Sequence, residues 1–236
     1  WQRSHYGWDV DPSIIRVVPD VLEAYEIFLR ELVGAGNSVI VPTPAYMPFL
    51  SVPKLYDVDV IEIEMLQSGD AETGEAQWVF DFDAIERAFA AGCHAFVLCN
   101  PHNPIGKVLT LEEELRLSDL AAQYDVRIFN DEIHAPFVFE GKHIPFPTIS
   151  EQAALQSMTA TSASKSFNIP GTKCAQVLLT NPADRDMWAV KAEWSEHQTA
   201  TIGAIATTTA YNEGDLRFQD AFAYVRRNLA LFDEQM

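Results

Sequence analysis

Apolar residues recur along the chain with the period of an amphipathic helix in three stretches. These stretches span residues 21–33, 82–91 and 110–124. Thr110 and Glu113 have the spacing of a capping box, which predicts that the third helix begins beside them. Gly34 and Gly36 follow the first stretch and predict its end, because glycine readily adopts the backbone geometry that terminates a helix. Beyond Pro182 the pattern is mainly helical to the end of the chain.

Short apolar runs lie between the helical stretches and predict buried strands. The runs span residues 38–41, 58–65, 95–99, 126–129, 158–162 and 174–180. Strands that alternate with helices of this length indicate a mostly parallel sheet with helices on both faces. The sequence therefore predicts an α/β fold, a three-layer sandwich around a mostly parallel central sheet. The polar, glycine-containing segment at 67–77 is the part of the chain most similar to a disordered insert.

The composition limits the partners that we expect for this chain. Its 236 residues include 16 basic and 34 acidic side chains, so the net charge is −18. A field of this sign repels nucleic acid and anionic membrane surfaces, and we expect neither as a partner. No apolar run approaches the roughly 20 residues that a membrane-spanning helix needs. The three cysteines lie in apolar surroundings without the spacing of metal ligands, which predicts buried free thiols and a reducing compartment such as the cytoplasm.

One lysine stands among small hydroxyl residues at the end of a predicted strand. It is Lys165, in the segment Thr161-Ser162-Ala163-Ser164-Lys165-Ser166-Phe167-Asn168. We expect its amine to be largely excluded from water, and burial of this kind depresses the pKa of an ammonium group. A neutral amine can condense with a carbonyl compound. A lone lysine is more often a solvated surface residue, so its neighbours in the fold decide between the two interpretations.

Three further segments with polar side chains also follow predicted strands. They are Pro42-Thr43-Pro44-Ala45-Tyr46-Met47-Pro48-Phe49, Asn100-Pro101-His102-Asn103-Pro104-Ile105-Gly106 and Asn130-Asp131-Glu132-Ile133-His134. Ligands of parallel α/β sheets gather at the carboxyl ends of the strands. We therefore expect these segments and Lys165 to form one site.

Taken together, the four segments resemble the fold-type I pyridoxal-phosphate enzymes, the superfamily of aspartate aminotransferase. Within it, the motifs Cys-Asn-Pro-His-Asn-Pro-x-Gly, Asp-Glu-Ile-His and Thr-Ser-x-Ser-Lys-x-Phe-Asn are similar to those of cystathionine β-lyases and related cysteine C–S lyases. The resemblance covers residues 6–228, and the ordered set of motifs is more specific than any one of them. It implies the cofactor pyridoxal 5'-phosphate and the large domain of the pyridoxal-phosphate-dependent transferase fold.

The resemblance implies a role for the central residue of each of three motifs. Lys165 would carry the cofactor as a Schiff base and, once freed by substrate, remove the Cα proton. Asp131 would pair with the pyridine nitrogen and so keep the ring an electron sink, and Asn103 would hydrogen-bond the phenolic oxygen. By position alone, Asp131 is equally compatible with a helix N-cap. Asn103 is also compatible with a turn between Pro101 and Pro104.

Tyr46 and His134 complete the ring contacts that the resemblance implies. Tyr46 matches the aromatic residue that stacks on the pyridine ring, although a core or turn tyrosine would fit the same position. His134 lies three residues after Asp131, where aminotransferases usually carry a tyrosine. This replacement favours a lyase over a transaminase.

The phosphate of the cofactor needs hydrogen-bond donors and positive charge. The resemblance implies that Ser162 and Lys173 serve this purpose, together with backbone amides at the helix start near Val21 and Leu22. Lys173 stands where many relatives carry arginine, so a single-pronged contact replaces a bidentate one. Asp20 stands where many relatives carry glycine, and its carboxylate would repel the phosphate unless it turns away.

The activity implied by the resemblance is that of a pyridoxal-phosphate-dependent C–S lyase. Its expected substrate is L-cystathionine or a related L-cysteine conjugate, which α,β-elimination would convert into a thiol, pyruvate and ammonia. An aminotransferase of class I or II is the alternative, and a non-catalytic regulator that retains the fold is a second alternative. No Gly-x-Gly-x-x-Gly follows the first strand, which argues against a nicotinamide-dependent oxidoreductase.

Two domains are expected from the same resemblance. Residues 1–214 would form the large cofactor-binding domain, shortened at its N-terminal end, and residues 215–236 a helix that leads towards a small C-terminal domain outside this chain. Relatives are homodimers whose sites lie at the interface, which implies a homodimer here.

Two other groups of polar residues have plainer interpretations. The cluster Glu112-Glu113-Glu114 is typical of the acidic first turn of a helix. His102 lacks the spacing of a zinc ligand, and no metal site is expected.

Overall fold

The computed structural model describes residues 1–69 and 76–235. The strands are β1 (Ile15–Val18), β2 (Ser38–Thr43), β3 (Asp59–Glu64), β4 (Leu66–Ser68), β5 (Gln77–Val79), β6 (Ala95–Cys99), β7 (Arg127–Asp131), β8 (Ser157–Thr161) and β9 (Ala175–Leu178). The helices are α1 (Gln2–Tyr6), α2 (Val21–Phe28), α3 (Met47–Ser51), α4 (Phe82–Ala90), α5 (Leu111–Gln123), α6 (Glu151–Gln156), α7 (Ala163–Ser166), α8 (Pro182–Lys191), α9 (Glu193–Glu196), α10 (Thr201–Glu213) and α11 (Asp215–Asp233). Every helix and strand predicted from the apolar pattern is present, with small shifts at the ends.

The helix ends follow the capping signals of the sequence. Thr110 and Glu113 form the predicted capping box at the start of α5, each side chain bonded to the backbone of the other residue. The first predicted helix continues past α2 through a wider π-helical turn at Leu29–Val33, and it ends at Gly34 with a φ of 81°. This positive φ explains the glycine, because other residues rarely adopt it.

The main sheet is mixed, with its parallel strands at the centre. The strand order is β1-β9-β8-β7-β6-β2-β3. The pairs from β8 to β3 are parallel, whereas β9 pairs antiparallel with both β8 and β1. The prediction of a mostly parallel sheet is confirmed. The sequence pattern did not predict β1. This edge strand is short, and its first three residues are all partly buried, so buried and exposed positions do not alternate along it.

Apolar side chains of the central strands alternate between two cores, one on each face of the sheet. Val39 and Val41 of β2 join the core that contains Tyr25 of α2 and Trp188 of α8. Ile40, between them, joins the core on the opposite face, which α4 and α5 cover. Since neighbouring strand residues point to opposite faces, this division confirms the three-layer sandwich.

The predicted polar segment at 67–77 falls partly outside the described residues. Residues 70–75 belong to that undescribed part, and the flanking strands β4 and β5 pair antiparallel. The three cysteines, Cys93, Cys99 and Cys174, are buried free thiols as predicted. Within the described ranges, we find no helix with the length and apolar character needed to cross a bilayer.

The last described helix, α11, packs little of its surface against the rest of the chain. Phe218 is buried, whereas Leu216, Tyr224, Leu229 and neighbouring residues are exposed. The expected division at residue 215 coincides with the start of α11, and as a domain boundary it stays a prediction.

Candidate active site

One cavity at the carboxyl ends of the parallel strands brings together every site residue predicted from the sequence. Its volume is ≈ 250 Å³. The predicted residues that line it are Val21, Leu22, Tyr46, Asn103, Asp131, His134, Ser162, Lys165 and Lys173. These residues are far apart in the chain, and the strand order brings their segments to one edge of the sheet. Their proximity is observed, while the individual roles stay predictions.

Lys165 lies on α7, a single helical turn that begins just after β8. Ser162 caps this turn, because its Oγ accepts a hydrogen bond from Ser164 N at 3.0 Å. Lys165 is exposed, so the expectation of a water-excluded amine is wrong. The turn extends beyond the end of the strand, and the lysine side chain therefore leaves the core and lines the cavity.

Asp131 is the last residue of β7 and is buried. Its Oδ1 accepts a hydrogen bond from Ile133 N at 3.0 Å, which closes a tight turn. The helix N-cap interpretation is wrong, because the N-cap position of the next helical turn, Ala135–Phe137, is His134. Burial raises the pKa of Asp131 to about 7, and the Ile133 hydrogen bond and the Lys165 ammonium oppose this shift.

His134 lines the same cavity three residues further along the chain. Burial lowers the pKa of its imidazole, and the positive charge of Lys165 lowers it further. The ring is therefore neutral near pH 7, with one nitrogen as donor and the other as acceptor. Asp131 and His134 thus both lie within the electrostatic influence of the same lysine.

Tyr46 and Asn103 lie on two loops that a buried histidine joins. His102 Nε2 donates to the carbonyl oxygen of Pro44 at 2.9 Å, and its ring is buried. Tyr46 is 38% exposed, which excludes the core interpretation, and its ring lies edge-on to Phe49 at 5.6 Å. Asn103 lies in a turn and also lines the cavity, so both interpretations of it hold.

The loop that carries Asn103 is fixed to α5 by Glu114, an acid of the predicted first turn whose burial was not predicted from the sequence. Asn100 Nδ2 donates to Glu114 Oε1 at 2.6 Å, and Asn100 Oδ1 accepts from Leu109 N at 3.1 Å. Burial raises the pKa of Glu114 to about 8, and the nearby Glu132 charge acts in the same direction. Glu114 shares the buried stripe of α5 with Leu117 and Ala121. This spacing was the signal that could have found it.

A second buried acid, Glu132, follows Asp131 directly and anchors the end of β7. Glu132 Oε1 accepts hydrogen bonds from Asn130 Nδ2 at 2.8 Å and from Phe146 N at 2.9 Å. Its other oxygen lies 3.2 Å from His143 Nε2, and both side chains are fully buried. These contacts tie the end of β7 to the segment that follows it.

The expected phosphate donors surround an aspartate. Asp20 caps α2, since its Oδ1 accepts from Glu23 N at 3.0 Å, and Val21 and Leu22 begin the helix. The carboxylate does not turn away from the predicted phosphate region. Its Oδ2 lies 2.8 Å from Lys173 Nζ.

Ser162 already uses its one hydroxyl proton within the protein. Its Oγ donates to the carbonyl oxygen of Cys174 at 2.8 Å. Ser162 therefore shapes the Lys165 turn and its link to β9. As a phosphate donor it would first have to break this hydrogen bond.

The backbone around Lys173 is held in an unusual conformation by close packing. Lys173 has a φ of 54°, and its carbonyl oxygen accepts a hydrogen bond from Ala200 N at 3.3 Å. Gly203 of α10 packs against the same turn so closely that a Cβ there would lie 2.0 Å from the Thr172 carbonyl oxygen. Only glycine permits this approach.

The fold and the motif positions place this chain in a known class of proteins. It belongs to the aminotransferase class I and II family, whose model matches residues 4–233. Among curated proteins, it is 36% identical to a cystathionine β-lyase of Corynebacterium glutamicum over 226 residues, 96% of this chain and 58% of that protein. The chain therefore spans less than two thirds of the length of this relative.

Solved structures of related proteins have the same architecture. One comes from Corynebacterium diphtheriae and is described as a candidate pyridoxal-phosphate-dependent β-cystathionase. It superimposes with a TM-score of 0.87 at 36% identity, over 96% of this chain and 57% of that chain. Cystalysin from Treponema denticola, which contains pyridoxal 5'-phosphate, gives a TM-score of 0.90 at 27% identity, over 99% of this chain and 59% of its own.

The buried carboxyl of Glu114 predicts a specific pH dependence of stability. Its pKa is about 8 in the folded chain, against an ordinary value of 4.5. Between these values the folded state retains a proton that the unfolded state has lost, so stability falls as the pH rises. Through this group, the wild-type protein should lose roughly 2–4 kcal/mol of unfolding free energy between about pH 5 and pH 8. Glu114→Gln has no carboxyl to titrate, so this part of the loss should be absent.

Urea unfolding at the two pH values measures this difference. Glu112→Gln is the matched control, since Glu112 is exposed in the same helical turn. This variant should lose unfolding free energy with rising pH as steeply as the wild type does. A Glu114→Gln protein that loses stability as steeply as wild type contradicts the assignment.

The close approach at Gly203 predicts sensitivity to a single methyl group. Gly203→Ala should destabilise the fold by about 1–3 kcal/mol, because either α10 or the turn before Lys173 must shift. Thermal or urea unfolding measures the change. Gly171→Ala, in the neighbouring turn, adds a methyl group with nothing within 4 Å and should have little effect. Equal stabilities of the two variants would show that the contact is unimportant.

Proposed function

We propose that the cavity binds pyridoxal 5'-phosphate and that the protein is a C–S lyase. Its substrate would be L-cystathionine or a related L-cysteine conjugate, and α,β-elimination would give a thiol, pyruvate and ammonia. The observation that carries this proposal is the convergence of Lys165, Asp131 and Tyr46 on one cavity. An amine, a buried acid and an accessible aromatic ring are the groups that a pyridine aldehyde requires.

The chemistry of the side chains around the cavity fits this cofactor. Asp131 is a buried carboxyl whose pKa burial raises to about 7, so a cationic partner such as a protonated pyridine nitrogen would stabilise its ionised form. Asn103 and the neutral imidazole of His134 suit a phenolic oxygen. Lys173 and the first amides of α2 offer charge and N–H donors to a phosphate.

Bound pyridoxal phosphate supplies an electron sink for the negative charge that develops at the Cα atom of an amino acid. Lys165 would hold the cofactor through its amine and, when free, accept the Cα proton as a general base. Its exposure leaves the amine accessible to an incoming substrate. Asp131 would keep a proton on the pyridine nitrogen, and Tyr46 would fix the plane of the ring by stacking.

The choice of a lyase over an aminotransferase is supported by similarity and by one residue of the cavity. The Corynebacterium glutamicum relative is a cystathionine β-lyase. His134 occupies the position at which, by the motif resemblance, aminotransferases usually carry a tyrosine. The alternative is an aminotransferase, which the family description includes. Both reactions would use Lys165 and Asp131 in the same way until the leaving group departs.

Assembly and compartment remain part of the same proposal. A homodimer is supported by the family resemblance and by exposed apolar side chains such as Met47, Ile202 and Leu216. The division into residues 1–214 and 215–236 is supported by the sparse packing of α11. Three free buried cysteines support a reducing compartment such as the cytoplasm.

Removal of one amine tests the cofactor assignment. Purified protein incubated with pyridoxal phosphate and then reduced with borohydride should retain one cofactor covalently on Lys165, located by peptide mass analysis. Lys165→Ala should lose this label, because Lys173, which also lines the cavity, is paired with Asp20 and is proposed to contact the phosphate instead of the aldehyde. Lys54→Ala removes an exposed lysine that is distant from Lys165 in the sequence. This control variant should retain the label on Lys165. A Lys165→Ala protein that still carries the label in the cavity would overturn the assignment.

The same protein distinguishes the two reactions. With L-cystathionine and no keto acid, a lyase should release pyruvate steadily over many turnovers. An aminotransferase should stop after one half-reaction per site, since its amino group has no acceptor. Pyruvate measured with lactate dehydrogenase gives the answer, because a half-transamination leaves the C–S bond intact and releases no pyruvate. The absence of continuing pyruvate release would rule out the lyase.

A further inference from the structure

Asp20 and Lys173 form an ion pair at the edge of the cavity, between segments more than 150 positions apart in the sequence. Lys173 Nζ lies 2.8 Å from Asp20 Oδ2, and the hydrogen bond to Asp20 raises the pKa of Lys173. Their side chains are 41% and 56% exposed, for Asp20 and Lys173 respectively. Both residues line the cavity. The ion pair therefore stands where a ligand can reach it.

The same carboxylate also faces the start of α2. Asp20 Oδ1 accepts from Glu23 N at 3.0 Å, which occupies the third amide of the helix. The first two amides, of Val21 and Leu22, are not needed for hydrogen bonds within the helix. An anion that used these amides and Lys173 together would lie beside the Asp20 carboxylate.

The number of positive and negative side chains at the cavity determines how strongly such an anion would be bound. A phosphate ester carries about −1.5 to −2 charges near neutral pH. The side chains that line the cavity include two ammonium groups, Lys165 and Lys173, and two carboxyls, Asp20 and Asp131. Lys165 is the amine proposed to hold the cofactor, which leaves Lys173 as the cation for the phosphate. An ammonium can contact two anions, but one positive charge then offsets both.

We propose that Asp20 sets the affinity for the cofactor by competing with its phosphate for Lys173. This inference rests on the proposed function, because it requires pyridoxal phosphate in this cavity. The carboxylate lowers the affinity for the phosphate-bearing form and leaves the contacts of the ring unchanged. Pyridoxal, which has the same ring and aldehyde without a phosphate, is therefore insensitive to Asp20.

Titrations with the two ligands test the inference. Asp20→Asn keeps the helix cap, since asparagine is as good an N-cap as aspartate, and it removes the charge. The Kd of pyridoxal phosphate, from absorbance or tryptophan fluorescence, should fall about three- to tenfold, as expected for an exposed charge at this distance. The Kd of pyridoxal should not change. Asp20→Ser, a second neutral cap, should behave in the same way, and thermal unfolding verifies that both variants fold.

Asp81→Asn is the matched control. Asp81 caps α4 in the same manner, accepting from Ala84 N at 2.9 Å, and does not line the cavity. It should leave both dissociation constants at wild-type values. An unchanged or weaker affinity of both Asp20 variants for pyridoxal phosphate overturns the inference, and a weaker affinity would mean that Asp20 orients Lys173 for the phosphate. If the wild type and all variants bind neither ligand, the proposed function fails as well.

Discussion

The parallel ladder of β6, β7 and β8 is the constraint on which the site depends. Its register pairs Cys99 with Asp131, and Asp131 with Ala160, so three strands end at the same level of the sheet. The chain leaves each strand there and carries Asn103, Asp131 and Lys165 into one cavity. A slip of one residue would turn Asp131 to the opposite face, because strand side chains alternate.

Buried polar groups behind this edge hold the strand ends in one arrangement. Glu132 bonds Asn130 and the backbone of Phe146, and Glu114 bonds Asn100 at the start of the next loop. A buried polar group without a partner is costly, so any alternative packing that breaks these bonds is disfavoured. The contacts that stabilise the fold therefore also position the residues of the cavity.

The charged groups around the cavity differ in their exposure to solvent. Asp131 is buried and holds its proton up to about pH 7 because of that burial, whereas Asp20 and Lys173 are an exposed pair. The chain as a whole carries a net charge of −18, which repels anions at long range. Binding of the proposed anionic cofactor would therefore depend on local donors, which act within the screening distance of the solvent.

The sequence by itself determined the α/β class, the mostly parallel sheet, and the residues that meet in the cavity, because apolar periodicity and strand-end motifs are local features. It did not determine that Lys165 is exposed, that Glu114 is buried, or that Asp20 pairs with Lys173. Those outcomes depend on which distant segments pack together, since burial and ion pairing are properties of neighbours in space. Only the tertiary structure brings residue 20 to residue 173, and so only it decided how the charges of the site are balanced.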